Sequence, residues 1–302
     1  IFQPMSLAII HSRALLGVDA IEVTVETHLS NGLPGFAIVG LPETAVKESK
    51  ERVRSAIINS GLDFPSRRIT VNLAPADLPK AGGRYDLAIA LSILAASGQV
   101  DTTLLDGTEV LGELALDGSI RQVQGVLPAI LSAKSNDNKI LLPAANRTEL
   151  DLAGYSKSFC INSLLELVQH FINGTELSTC CKRQCIETRN SVCLESLAEV
   201  KGQIAAKRAV QIAAAGGHNL LMIGPPGSGK TLLAGVLTTL LPTMNEAEAL
   251  EVAAINSAAN MSVNTSNWRQ RPIRNPHHTA TSAALVGGGH RICPGEISLA
   301  HR

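Results

Sequence analysis

The stretch Gly224-Pro225-Pro226-Gly227-Ser228-Gly229-Lys230-Thr231 limits the architecture of this chain more than any other. It has the spacing G-x-x-x-x-G-K-T of a phosphate-binding loop. The apolar run Leu220-Leu221-Met222-Ile223 before it predicts a short buried strand of a parallel sheet. Residues 231–241 are rich in Leu, Ala and Val and stop at Pro242, which predicts a helix. Strand, glycine loop and helix together demand an α/β fold. The glycines let successive N–H groups converge on one phosphate, and the helix N-terminus adds partial positive charge. On this reading Gly224, Pro225, Pro226, Gly227, Ser228, Gly229, Lys230 and Thr231 bind ATP. Lys230 reaches the β- and γ-phosphates, and the Thr231 hydroxyl ligates Mg²⁺. The bland alternative is a glycine turn before an ordinary helix.

The preceding residues read as a separate mixed α/β domain, 5–174, with Met5 taken as the native start. Residues 5–10 and 20–27 alternate in the manner of strands, around a turn at Gly17. Short strands follow at 36–39, 68–73 and 139–142. Helices are expected at 44–60, 86–97, 127–134 and 164–171. Asp86 is read as the N-cap of the second of these. Asp117-Gly118 predicts a hairpin between 109–116 and 119–123. Residues 175–195 are polar and aperiodic, an interdomain linker. The second domain, 196–302, opens with a helix over 204–215 capped by Gly216-Gly217, and carries another over 245–259 after the loop.

Composition removes some classes. Hydrophobic residues make up 45% and charged residues 17%, which excludes disorder. The formal net charge is zero, so bulk charge gives no argument for nucleic acid. No apolar run is long enough to span a bilayer, and no signal peptide is recognisable, so the expected location is cytoplasmic. Cys180, Cys181, Cys185 and Cys193 cluster in the linker segment. Four thiolates could hold zinc, but the spacing lacks a paired C-x-x-C, and reduced linker cysteines are the simpler expectation. His277 and His278 are adjacent and have no further ligand nearby, so they are read as loop-orienting and not as a metal site. Residues 268–274 form a small basic cluster.

Several stretches act together as a signature. They are Leu33-Pro34-Gly35-Phe36, Val39-Gly40-Leu41-Pro42, Asn72-Leu73-Ala74-Pro75-Ala76-Asp77, Gly125-Val126-Leu127-Pro128, Val200-Lys201-Gly202-Gln203, the phosphate-binding loop, Asn275-Pro276-His277-His278-Thr279 and the tail from Pro294 to His301. From Met5 to Arg302 the chain resembles the magnesium-chelatase-like AAA+ ATPases of the YifB/ComM family. The resemblance implies a cytoplasmic homohexameric motor, fuelled by ATP and Mg²⁺, that migrates DNA branches in recombination and natural transformation. Branched or single-stranded DNA is the implied partner. It implies an N-terminal domain with the Lon-protease-like (ribosomal protein S5 domain 2-like) fold, followed by the first part of a P-loop AAA+ domain.

The same resemblance places residues 200–203 near the adenine. It aligns Asp86 with the Lon nucleophile and a position near Ala129 with its lysine, so protease chemistry is not expected. It makes the glycine loop at 287–291 a pore-facing insertion, with Gly287, Gly288, Gly289 and Arg291 as candidate DNA contacts. Relatives carry the Walker B acids, sensors and arginine finger beyond the segment matching Arg302, so no catalytic residue is assigned here. The chain is expected to be a fragment that binds nucleotide without hydrolysing it well. Two other readings stay open, a magnesium-chelatase ATPase subunit and a non-catalytic nucleotide-binding module; a third, a Lon-like protease, is disfavoured by Asp86 and Ala129.

Overall fold

The computed structural model describes residues 7–175, 177–179, 197–263, 268–288 and 292–302. Two long strands, β1 (Leu7–Leu16) and β2 (Asp19–Ser30), pair antiparallel about Gly17, whose φ of +63° suits the tight turn. Next come β3 (Gly35–Val39), α1 (Thr44–Asn59), β4 (Arg68–Ala74) and α2 (Asp86–Ala96). Then follow β5 (Thr108–Val110), the hairpin β6 (Glu113–Leu114) and β7 (Ile120–Arg121), α3 (Val126–Ser135) and β8 (Lys139–Pro143). This part ends with α4 (Arg147–Ala153), β9 (Ser158–Ile161), α5 (Leu164–Asn173) and β10 (Ser178–Thr179).

Apart from the β6–β7 hairpin, these strands form one mixed sheet in the order β10-β9-β8-β5-β1-β2-β4-β3. The antiparallel hairpin β1–β2 sits at its centre. The strands β1, β5, β8 and β9 run parallel to their neighbours on one side, and β3 runs parallel to β4 on the other. Helices cover both faces, as the alternation along β8 shows. Leu141 joins the core under α1 and α2, with Val53, Ile57, Leu91 and Leu94. Ile140 and Leu142 join the core under α3, with Leu127 and Ile130. Every residue of α2 is buried, so its run of small and apolar side chains has no solvent face.

The predicted strand over 109–116 divides. Its first residues enter the main sheet as β5, and Glu113–Leu114 turn back on β7 around Gly118, at φ +86°.

In the second part, α6 (Ile204–Gly216) and α7 (Lys230–Leu240) pack through Val200, Val210, Leu233 and Val236. Beyond them lies α8 (Glu246–Ala258), capped by a reciprocal Asn245–Glu248 capping box. After it come α9 (Ser282–Val286), the small hairpin β11 (Gly287–Gly288) with β12 (Cys293–Pro294), and α10 (Glu296–Leu299).

Residues 220–223 correct the sequence reading. They form no strand, and Leu221 and Ile223 are 82% and 88% exposed. An apolar run becomes a strand only where a neighbour accepts its backbone hydrogen bonds. Among the described residues no strand pairs with residues 220–223.

The two parts are joined through α8. Ala253 belongs to the same apolar cluster as Leu127 and Ile130 of α3. Ser257 Oγ donates to Glu149 Oε1 and accepts from the Leu127 amide at 3.4 Å.

Candidate functional site

The loop 224–229 runs directly into α7, whose first residue is Lys230. Gly227 and Gly229 have φ of +81° and +83°, and Gly229 is the left-handed residue that starts the helix. A Cβ at either would meet nothing within 4 Å. Backbone conformation and not crowding therefore requires glycine at both positions.

The Lys230 ammonium folds back over the loop. Nζ donates to the carbonyls of Gly224 at 2.9 Å and Pro225 at 2.8 Å, and to Ser228 Oγ at 3.2 Å. Gln203, itself left-handed at φ +53°, donates from Nε2 to the Ser228 carbonyl at 3.2 Å. The segment 200–203 thus touches the loop directly, with Val200 in the apolar cluster beneath α7. Thr231 lies exposed in the first turn of α7. The arrangement gathers one cation, loop amides and a hydroxyl at a helix N-terminus, a donor set suited to an anion.

Other predicted residues fall elsewhere. Asp86 is not an N-cap: Tyr85 holds that position, and Asp86 is the first helical residue. Its carboxylate instead takes Arg52 Nε at 2.7 Å and Nη2 at 3.1 Å, and the Leu114 amide at 3.4 Å. Burial raises its pKa to about 6, with the Arg52 hydrogen bond pulling the other way. Ala129 is fully buried on α3 and offers no polar atom.

Gly287 and Gly288 lie in the hairpin β11–β12. At φ +92°, Gly287 faces the chain so closely that a Cβ would sit 2.5 Å from the Cys293 carbonyl oxygen. Gly289 and Arg291 lie outside the described residues, as do Cys180, Cys181, Cys185 and Cys193. Cys160, on β9, is disulfide-bonded.

The basic cluster is spent on structure. Arg269 Nε donates to the Met244 carbonyl, Arg271 Nε to that of Pro242, and Arg274 makes a bidentate pair with Glu296. His277 Nδ1 meets Thr279 Oγ1 at 2.7 Å, and its ring lies 4.1 Å from that of His278. Among the described residues no cluster of His, Cys, Asp or Glu has the makings of a metal site, and no helix is long and apolar enough to cross a membrane.

One residue escaped sequence reasoning. Arg84, which follows Gly82-Gly83, is 8% exposed. Only burial reveals it.

Comparison with known proteins completes the description. Residues 25–146 match the family model described as subunit ChlI of Mg-chelatase, and residues 196–302 match that of magnesium chelatase, subunit ChlI. Competence protein ComM of Haemophilus influenzae is 51% identical over 299 residues, which covers 98% of this chain and 58% of that protein. The YifB protein of Escherichia coli is 50% identical over 297 residues, with the same shares covered. A Mycobacterium tuberculosis relative is 41% identical over 301 residues, 99% of this chain and 59% of its own. The chain thus spans a little under three fifths of the length of the curated relatives it matches. Identity of this order along nearly every residue, with magnesium-chelatase models matching residues 25–146 and 196–302, shows that the chain belongs to the ComM/YifB family of magnesium-chelatase-like AAA+ proteins.

Proposed function

We propose that this chain carries the nucleotide-binding part of a cytoplasmic, hexameric, ATP-driven motor that remodels DNA. The observation that supports it most is Lys230, whose ammonium is held by two loop carbonyls and a hydroxyl, where an anion's oxygens can replace them. In this reading Gly224 to Gly229 cradle the phosphates with backbone amides, Lys230 pairs with them, and Thr231 ligates Mg²⁺. Bound MgATP supplies the phosphoanhydride whose hydrolysis drives the motor. Gln203 holds the loop in shape from the adenine side.

DNA enters the proposal through the family, whose resemblance makes Gly287, Gly288, Gly289 and Arg291 candidate contacts; the first two lie in the hairpin β11–β12. Substituting Arg291 by Ala should weaken DNA binding and flatten its salt dependence. The N-terminal domain is read as a Lon-like fold without protease chemistry. Its Asp86 is held by Arg52, and Ala129 accepts no proton.

The test is ATP hydrolysis by the gene product at the length of its relatives, with and without branched DNA, beside its Lys230→Ala variant. Stimulation by DNA that the variant loses supports the motor. A second reading, a chelatase-type ATPase subunit, is favoured by the descriptions of the two matching family models. Hydrolysis indifferent to every DNA would move the assignment there.

A further inference from the structure

A cavity of about 350 Å³ lies at the seam between the two parts of the chain. Gly83, Arg84, Glu43 and Glu113 line it from the N-terminal part, and Ala258 of α8 and Cys293 of β12 from the other. Arg84 is more than nine-tenths buried. Its Nη2 donates to the carbonyls of Gln124 at 2.8 Å and Gly125 at 3.4 Å, while Nε is buried with no partner. Among the described residues no carboxylate stands within ion-pair distance of it. Glu149 acts on it only from further off, and is itself occupied by Asn146 Nδ2 at 2.8 Å and by Ser257 Oγ. A buried guanidinium without a counter-charge is costly, and an anion delivered to it removes that cost. Burial pushes the Arg84 pKa down, the direction expected of such a charge.

We propose that this seam cavity binds a small organic acid whose single anionic group, a carboxylate or a phosphate, pairs with Arg84. The volume suits a small molecule and not a nucleotide. Because Ala258 and Cys293 come from the nucleotide-loop part, an occupied cavity ties that part to the N-terminal sheet.

The experiment uses the whole chain with Lys230→Ala, so that phosphate binding at residues 224–231 contributes nothing and failure here leaves the nucleotide reading untouched. Acetate and glycine probe the carboxylate arm and inorganic phosphate the phosphate arm, all at constant ionic strength. Two signals are read: Tm, and the alkylation rate of Cys293, the exposed free thiol in the cavity wall, resolved by peptide mass mapping. A rise in Tm that grows with the logarithm of probe concentration and reaches about 5 °C at hundredfold excess over Kd is expected. Alkylation of Cys293 should slow at least ~10-fold by mass action in the same titration. Both responses should vanish in Arg84→Met. Should that variant fail to fold, Ala258→Leu, which fills the cavity from α8, must abolish them instead. No change in Tm or in Cys293 alkylation with any probe, or a response that survives these substitutions, overturns the proposal.

Discussion

Arg52 grips Asp86 with two nitrogens, Nε on Oδ2 at 2.7 Å and Nη2 on Oδ1 at 3.1 Å, and so joins α1 to the first turn of α2. Burial still dominates, and lifts the carboxyl to about 6. The folded chain therefore keeps this proton at a pH where the unfolded chain, with an ordinary value of about 4, has lost it. Its contribution to stability is full below about pH 4 and fades as pH rises through about 6. Carbon-detected NMR of the Asp86 carboxyl should give a midpoint near 6, and Asp86→Asn should remove this component from the stability profile between those values. A midpoint near 4 would contradict the desolvation account. Arg52→Met should move the midpoint higher, so that the buried carboxyl takes up a proton near neutral pH, and should destabilise the fold.

The seam at α8 invites a second test. Ala253 is 4% exposed within the cluster that holds Leu127 and Ile130. Ala253→Asp would bury an unpaired carboxylate there, at a cost of about 3 kcal/mol or more. Hydrogen exchange along α3 should speed up while exchange along α2, on the other face of the sheet, stays the same. Unchanged α3 protection would mean that α8 does not dock as described.

Helix α8 also depends on its start. The Asn245 side chain accepts from the Glu248 amide at 2.9 Å, and Glu248 answers on the Asn245 amide at 3.0 Å. Asn245→Ala should destabilise the helix by about 1 kcal/mol and Asn245→Asp by far less. Exchange rates in the first turn of α8 report the difference; equal rates in the two variants would rule out the cap.

Much of this was legible in the sequence, and particular residues show why. The apolar stripe over 164–171 marks α5, and Ser163 caps it by accepting from the Glu166 amide. Gly217 closes α6 at φ +63°. Asp117-Gly118 marks the β6–β7 turn. These are local signals, set by a few adjacent residues. Strand β9 was missed because four residues, Ser158–Ile161, are too short to show a period. Residues 220–223 carry a strand's composition, but pairing depends on a neighbour that composition cannot supply. Asp86 looked like a cap because its partner, Arg52, is 34 positions away. Arg84 is similar: its burial comes from Gln124 and Gly125, brought up by a different loop. For the candidate site, spacing marked residues 224–231, whereas Gln203 touching Ser228 needed coordinates.

The measurement closest to the central claim is calorimetric titration of this chain with MgATP, beside its Lys230→Ala variant. The account predicts saturable binding at one site per chain that weakens at least ~100-fold, or about 2.7 kcal/mol, when the ammonium is removed. Binding that Lys230→Ala leaves unchanged, or no binding at millimolar MgATP, would contradict it.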